Sequence, residues 1–254
     1  MSLRRAIKAQ GLGNVMKLGL AIATSPKVAT APVPANEELR VTRGNETGLI
    51  GRDVRAQFEI FTEVAKLIMQ CDSAMLNLLD GACQYTISGA GENFDPLLGV
   101  PQNMTFCQFA LISPEPLLVP DASKDQRFAG TPLTKPPLNC RGYAGFPLNT
   151  TDGVVLGTLC GTHPEPLILT DTQIRMMRKL ATTAAGQIQT MVEQSNLTAS
   201  RVAGMLSKFQ QFAPDGTIDE LIGFLDFCAR GTTLPEIIEG MERDGTPDAA
   251  WRLS

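Results

Sequence analysis

Two Asp-Gly pairs, each lying between two short apolar runs, constrain the fold of this chain more than any other feature of its sequence. The pairs are Asp80-Gly81 and Asp152-Gly153. Asp-Gly favours the tight turn of a two-residue β-hairpin, because both of its residues readily adopt positive φ angles. The flanking runs are residues 73–79 and 84–88 for the first pair, and residues 143–148 and 154–160 for the second. The sequence therefore predicts two hairpins in an antiparallel sheet.

Apolar residues at helical spacing flank these hairpins on both sides. Before the first hairpin, they recur every three or four positions across residues 53–70, which predicts an amphipathic helix. After the second, Thr170 and Gln173 form a capping-box pattern that begins a helix over residues 171–194. Between the hairpins, the sequence predicts a short helix at 105–112, a strand at 117–119, and irregular segments at 89–104 and 121–139.

This order of elements predicts an α+β fold. The antiparallel sheet has N- and C-terminal helices packed on one face, and a small helical C-terminal appendage follows. The other face of the sheet is left to the long loops, and a sheet walled by loops forms a pocket. We therefore expect any ligand site to lie on the loop side.

Composition divides the chain into three parts. Residues 1–51 comprise a basic N-terminal segment, with charge +5 over residues 1–36, and a Pro-, Ala- and Thr-rich linker in which prolines oppose regular helix. Residues 52–195 hold the predicted sheet and its helices. Residues 196–254 carry apolar stripes at helical spacing and become acidic, with charge −6 over residues 213–254. We predict an acidic helical extension there.

A single histidine and six cysteines limit the available chemistry. His163 alone cannot build a metal site with several histidine ligands or a histidine acid–base pair. The cysteines include no C-x-x-C pair, so they are interpreted as free thiols in a reducing compartment, and we expect a cytoplasmic location. The basic N-terminus leaves open a mitochondrial presequence, a membrane-surface helix or a docking tail. No run is long enough for a transmembrane segment, and no segment has the pattern of a nucleic-acid-binding surface.

At several points, in order along the chain, the sequence resembles the GAF domain, a small-molecule-binding sensory module of bacterial and fungal signalling proteins. The strings that carry the resemblance are SAMLNLLDG at 73–81, TFCQFAL at 105–111, LLVPDASKDQRFAGTPL at 117–133, RGYAGFPL at 141–148 and DGVVLGTLC at 152–160. The resemblance assigns residues 52–195 to a GAF domain. It implies a cytosolic sensor in which a ligand or redox state in the pocket is read out through the terminal helices, often at a dimer interface.

The candidate ligand-binding residues lie in these strings. The arginines of this set suit an anionic ligand, although they also suit structural pairs with Asp121 or Asp125. The thiol of the set is either a redox sensor or a small apolar filler, and bilin attachment is disfavoured because no cysteine precedes a histidine. The tyrosine either points its hydroxyl into the pocket or packs with Phe146. The candidates are Cys107, Phe109, Asp125, Arg127, Arg141 and Tyr143.

These features predict a stand-alone GAF-type sensory or regulatory protein with no catalytic activity of its own. Its expected partners are an unknown small-molecule ligand and either a second copy of the chain or a separate signalling effector, since the exposed sides of the terminal helices are natural dimerisation surfaces. The alternative is a GAF-fold thiol enzyme or redox sensor, similar to a methionine sulfoxide reductase, that uses Cys107 or Cys140. No metal site is expected.

Overall fold

The computed structural model describes residues 29–91, 99–136, 139–212 and 217. The chain divides into two compact units, Met1–Val192 and Glu193–Ser254. The helices are α1 (Glu37–Glu46), α2 (Arg55–Met69) and α3 (Asp171–Phe212). The strands are β1 (Ser73–Leu79), β2 (Cys83–Ala90), β3 (Val100–Pro101), β4 (Leu117–Val119), β5 (Gly142–Asn149) and β6 (Val155–His163). Short 3-10 turns lie at Gln102–Met104, Cys107–Phe109 and Pro132–Thr134.

All six strands belong to one antiparallel sheet in the order β3-β2-β1-β6-β5-β4. Both predicted hairpins are present, as the pairs β1–β2 and β5–β6. Gly81 and Gly153 adopt φ angles of +94° and +80°, which a residue with a Cβ rarely tolerates. Strands β1 and β6 form the centre of the sheet, so the first and last strands of the domain are neighbours.

The two long helices cover one face of this sheet, as predicted. Apolar side chains of α2 and α3 join those of the strands in one buried cluster, interrupted by the hydroxyl pair of Thr62 and Ser88. Such burial removes large apolar areas from water and holds the layers together. Members of the cluster include Phe58, Ala65 and Met69 of α2, Ala74, Leu76 and Leu78 of β1, and Met177, Ala181 and Ala184 of α3. The α+β fold prediction is therefore confirmed.

Three local predictions need correction. The Pro-, Ala- and Thr-rich linker predicted before residue 52 contains a regular helix, because α1 forms within it and the prolines that oppose helix all precede Glu37. Residues 105–112 form only a 3-10 turn, Cys107–Phe109, held among aromatic side chains. The helix predicted to end at 194 continues to Phe212, because no proline interrupts it.

The predicted boundary between residues 195 and 196 falls inside α3. The basic segment before residue 29 and the predicted helices beyond residue 217 lie outside the described residues. Within the described part of the chain, no helix is both long enough and apolar enough to cross a membrane.

Helix α1 is fixed to the sheet by a buried arginine. The side chain of Arg40 is fully buried, and its Nε and Nη2 each donate a hydrogen bond of 2.6 Å to the Glu37 carboxylate. Its Nη1 donates to the backbone oxygen of Leu79, also at 2.6 Å, at the start of the β1–β2 turn. Since a buried guanidinium must have its donors satisfied, these bonds determine where α1 lies on the sheet.

Replacement of Arg40 by methionine should therefore destabilise the fold strongly. Removing one partner of a buried pair costs about 3 kcal/mol or more, and here it also leaves the Leu79 oxygen without its partner. Urea unfolding followed by circular dichroism measures the change in free energy. Arg43→Met is the matched control, because Arg43 of the same helix makes only exposed ion pairs with Glu46 and Asp152 and should lose less than about 1 kcal/mol. Equal losses in the two variants would show that the buried contacts do not stabilise α1.

Candidate functional site

The face of the sheet away from the helices carries a buried polar cluster. Asn77 of β1 and Thr158 of β6 are paired across the two central strands, and both residues are fully buried. Cys160 lies two positions beyond Thr158, and Tyr143 projects from the neighbouring strand β5. These four side chains, together with Cys107 above them, are called the sheet-face cluster. They give this face of the sheet a set of hydrogen-bonding groups, whereas the opposite face is mainly apolar.

The loop segments between β3 and β5 form an aromatic roof over this cluster. The Phe106 ring lies 4.5 Å from that of Phe128 and 5.0 Å from that of Tyr143, measured between centroids. The Phe109 ring meets that of Phe128 edge-on at 5.1 Å. The Tyr143 phenol lies over Gly145, where a Cβ atom would collide with it. The loop segments are therefore held to the sheet by packed rings, and each pair stabilises the roof by about 0.5–1.5 kcal/mol beyond its buried area.

The sulfur of Cys107 is the point where the polar groups meet. It accepts hydrogen bonds from the Thr158 hydroxyl at 3.2 Å and the Tyr143 hydroxyl at 3.3 Å, and the Asn77 amide lies 3.7 Å away. The Cys160 sulfur lies 4.0 Å from it. The Asn77 amide also donates to Cys160 at 3.2 Å, so it links both sulfurs to β1.

These contacts separate the acidities of the groups in the sheet-face cluster. The contact with the Cys160 thiol, followed by the hydrogen bonds from Thr158, Tyr143 and Asn77, lowers the pKa of Cys107 to about 7 although burial opposes ionisation. The interaction with Cys107, together with burial, raises the pKa of Cys160 well above its ordinary value. Burial, followed by the charge of an ionised Cys107, raises that of Tyr143. Cys107 is therefore the thiol of this cluster that ionises first.

Arg127 lies at the edge of the roof rather than beneath it. Its guanidinium is 4.9 Å from the centroid of Phe128 and 5.6 Å from that of Phe109, and it forms a fork of hydrogen bonds with Asp125 at 3.0 and 2.6 Å. The hydrogen bonds from Arg127 lower the pKa of the Asp125 carboxyl. The Arg127 side chain remains 40% exposed. This is the structural pair that the sequence left open as an alternative, and it also places a cation beside the aromatic roof.

Arg141 lies apart from the sheet-face cluster. Its guanidinium donates to Asp121 at 2.6 Å and to Glu165 at 3.3 Å, in a partly exposed position just before β5. The hydrogen bonds from Arg141 lower the pKa of Asp121. Of the six candidate residues, the structure therefore brings Cys107, Phe109 and Tyr143 together, places Asp125 and Arg127 beside them, and leaves Arg141 outside.

A segment preceding α1 lies against the roof. Ala31 packs on the roof side chains, and its backbone N–H donates to the side-chain oxygen of Gln108 at 2.9 Å. The Gln108 amide group in turn donates to the backbone oxygens of Asn103 and Thr105 at 3.1 and 3.0 Å. Gln108 therefore joins the N-terminal segment to the turn that carries Cys107.

Sequence reasoning missed Asn77, Thr158, Cys160 and Gln108. Asn77 is an amide inside an otherwise apolar strand, a pattern that signals a buried polar partner. Thr158 and Cys160 have the two-residue spacing of side chains on one face of a strand. Among the described residues, no group of three or more His, Cys, Asp or Glu side chains is arranged to hold a metal ion.

The fold and site define the class of this chain as an α+β domain with one antiparallel sheet, a helical side and a loop-covered polar side. A family model for the GAF domain matches residues 53–188, more than half of the chain. The chain belongs to the GAF domain family, which confirms the resemblance seen in the sequence strings.

Several known proteins are similar to the chain. A cyclic di-GMP phosphodiesterase of Pseudomonas aeruginosa is 28% identical over 165 residues, which cover 65% of this chain but only 28% of that enzyme. The GAF domain of an Acinetobacter phosphoenolpyruvate-protein phosphotransferase is 16% identical, with a TM-score of 0.47 over 63% of this chain and 97% of that domain. The GAF-B domain of DevS from Mycobacterium smegmatis is 18% identical, with a TM-score of 0.43 over 56% of this chain and 97% of that domain.

The geometry of the sheet-face cluster predicts a pH-dependent thiolate at Cys107. Because the pKa of this thiol in the folded protein is lower than its ordinary 9.0, its ionisation stabilises the fold fully above pH 9.0, and this contribution is lost as pH falls through about 7. Ultraviolet absorbance of thiolates measured against pH should show a transition below 9.0 that is missing in Cys107→Ser.

Thr158→Val keeps the shape of the side chain but removes one donor to Cys107, so it should move this transition to higher pH. Thr162→Val, on the same strand, is the matched control and should leave the transition where it is. If the two variants titrate alike, the Thr158 hydroxyl does not stabilise the thiolate.

Proposed function

We propose that this chain is a GAF-type sensory protein that binds a small ligand between the sheet and the loops and passes the signal on through its terminal helices. The observation that carries the proposal is the sheet-face cluster, a buried set of hydrogen-bond donors beneath a roof of loops. The proposal includes no catalytic activity of the chain's own. The free state of all five described cysteines is consistent with a reducing, cytoplasmic location.

The chemistry of the cluster favours a ligand that carries oxygen acceptors. The Asn77 amide and the hydroxyls of Thr158 and Tyr143 all point their donors at sulfur. The sulfur of a neutral thiol is a weak acceptor, so these buried donors are incompletely satisfied when Cys107 is protonated. A ligand carboxylate, carbonyl or phosphate oxygen placed among them would give each donor a stronger partner, which is the usual source of affinity in a small polar site. Arg127 at the edge of the roof would favour an anionic group.

Access to the cluster passes through the roof. Phe106 and Phe128 are almost fully buried, whereas Arg127 is partly exposed beside them. Displacement of Phe109 and Arg127 would open the edge of the roof without breaking strand pairing, because neither residue belongs to a strand. We therefore propose that ligand binding is coupled to a movement of this edge.

Contacts from the roof loops to α3 provide a route for the signal. The backbone N–H of Leu167, three residues before Thr170, donates to the oxygen of Pro120 at 2.9 Å. Arg178 of α3 forms an ion pair with Glu115, just before β4. A shift of the segment between β4 and Arg127 would therefore move the connection that leads from β6 into α3.

Exposed apolar side chains on α2 support a homodimer as the partner in signalling. Ile60 and Leu67 lie two helical turns apart and are 65% and 74% exposed. Their spacing places both on one side of α2. We propose that this side of α2 packs against a second copy of the chain, and the separate signalling effector remains the alternative.

The ligand proposal predicts binding that depends on the sheet-face cluster. Native mass spectrometry of the protein purified from its own source should show a copurifying small molecule, and a thermal-shift screen of cyclic nucleotides, amino acids and oxyanions should show stabilisation. Tyr143→Phe removes one hydroxyl donor and should lower the affinity for the stabilising compound about tenfold, since a hydrogen bond to a charged group is worth about 1.5–3 kcal/mol.

Tyr85→Phe is the matched control, because Tyr85 on β2 is the other tyrosine of the chain and is partly exposed. It should bind as the wild type does. A screen in which no compound shifts the transition, combined with no copurifying molecule, would contradict the ligand proposal. An equal loss of affinity in both tyrosine variants would show that the compound does not bind at the sheet-face cluster.

The dimer proposal predicts that Leu67→Glu gives a monomer in analytical ultracentrifugation, because a buried unpaired carboxylate opposes association. Ile168→Glu is the control, since Ile168 is also apolar and highly exposed but precedes α3 in a loop. A wild-type chain that sediments as a monomer at high concentration would contradict the dimer.

The alternative function as a redox sensor also has a specific observation in its favour. Hydrogen bonds lower the pKa of Cys107, as a reactive thiol requires. Burial raises the pKa of Cys140, the other candidate thiol, to about 12. We therefore assign any redox chemistry of this domain to Cys107 and not to Cys140.

A further inference from the structure

Two cysteines from distant parts of the chain face one another beneath the roof. Cys107 belongs to the 3-10 turn of the roof and Cys160 to the central strand β6. Their sulfurs lie 4.0 Å apart although the residues are separated by 53 positions. Both residues are buried, at 3% and 1% exposure.

The two other buried cysteines of the described residues are arranged differently. Cys71 belongs to the apolar cluster on the helical side and bonds to the backbone oxygen of Ser73, while Cys140 lies near the backbone oxygen of Gly142. Burial raises the pKa of Cys71 to about 11 and that of Cys140 to about 12. Among the described cysteines, Cys107 and Cys160 are the pair with sulfurs in contact.

We propose that Cys107 and Cys160 are a modification site, oxidised by a hydroperoxide to an intramolecular disulfide that regulates ligand binding beneath the roof. The regulatory consequence rests on the proposed sensory function, whereas formation of the disulfide does not.

The surroundings of the two cysteines determine which of them is oxidised first. Four polar groups face the Cys107 sulfur, so its thiolate is the better stabilised of the two and attacks the terminal oxygen of the peroxide. The O–O bond breaks, an alcohol or water leaves, and Cys107 becomes a sulfenic acid. The Cys160 thiol then loses its proton and attacks this sulfur, and the S–O bond breaks with release of water. Two thiols and one hydroperoxide thus give one disulfide, one alcohol and one water.

The geometry allows this step with local movement. A disulfide brings its sulfurs to about 2.05 Å, so the pair must close by about 2 Å. Cys107 lies in a short turn outside the sheet, whereas Cys160 is held in a central strand, so the turn is the side that moves. Hydrogen peroxide is a small oxidant, and because both sulfurs are buried, the proposal requires the roof edge at the partly exposed Arg127 to open for it.

A disulfide would change the ligand site in two ways. It would fix the roof turn to β6, which limits the opening of the roof edge. It would also remove the thiolate that accepts hydrogen bonds from Thr158 and Tyr143, so these donors must find other partners. Both changes fall on the groups that we propose contact the ligand.

The test is oxidation of the reduced chain of 254 residues with hydrogen peroxide, followed by blocking of remaining thiols and peptide mass spectrometry. We expect the intact mass to fall by two hydrogen atoms and a cross-linked peptide pair to contain Cys107 and Cys160. Cys160→Ser and the smaller Cys160→Ala should lose this cross-link and stop at oxidised Cys107. Cys140→Ser is the matched control and should form the cross-link as the wild type does.

The outcomes are distinct. Unchanged thiols in the folded wild type, a cross-link to any other cysteine, or sulfinic acid at Cys107 without a cross-link would overturn the proposal. To test the regulation, the thermal shift is measured with the compounds that stabilise the reduced chain, before and after oxidation. We expect the shift to be lost in the disulfide form and restored when the disulfide is reduced with dithiothreitol, and a shift that persists in the disulfide form would overturn the regulatory role. Absence of any shift in the reduced chain would count against the sensory function alone, because the disulfide is measured by mass.

Discussion

The pairing of β1 with β6 is the constraint on which the rest of the structure depends. It joins the first and the last strand of the domain at the centre of the sheet. Helix α2 leads directly into β1 and α3 follows β6, so both helices reach the same region and share one apolar cluster. The strands between them in sequence are displaced to the two sides of the sheet, and the described segments between β3 and β5 cover the other face. The separation of a helical side from a loop side is therefore a consequence of this one strand pair.

The same pairing determines the chemistry of the loop side. Asn77 and Thr158 are opposite one another in the register, so an amide and a hydroxyl are fixed next to the sulfurs without any loop having to position them. Burying such groups is unfavourable unless they are hydrogen-bonded, and here the Thr86 hydroxyl donates to the Asn77 side-chain oxygen at 2.7 Å while the sulfurs accept from the amide. The sheet thus supplies four members of the cluster, and the roof supplies Cys107.

Local signals in the sequence were sufficient for the hairpins and for the two long helices that cover one face of the sheet. They also identified Cys107, Phe109 and Tyr143, which lie together. The contribution of Thr158 and Cys160 could not be predicted, because it depends on the register of β6. Leu156 and Leu159 both join the helical side although they are three positions apart, so simple alternation does not assign a face to every residue of this strand. Arg40 was missed for a different reason. The prolines at the beginning of the linker suggested that no helix forms there, but they all precede α1, which carries Arg40.

The contacts between the roof loops and α3 differ in how much they can transmit. The ion pair of Glu115 with Arg178 is exposed on both sides, and such pairs contribute about 0–1 kcal/mol. The hydrogen bond from Leu167 to Pro120 joins two backbone segments, and Leu167 itself is 9% exposed within the helical-side cluster. A movement of Pro120 would therefore displace Leu167, whose side chain is buried. A movement of Glu115 would require only that the Glu115 and Arg178 side chains change their conformation. Gly142 lies so close to Leu167 that a Cβ atom there would clash, so this junction has little room to yield. Of the two contacts in the proposed signal route, the one between Pro120 and Leu167 is therefore the stiffer.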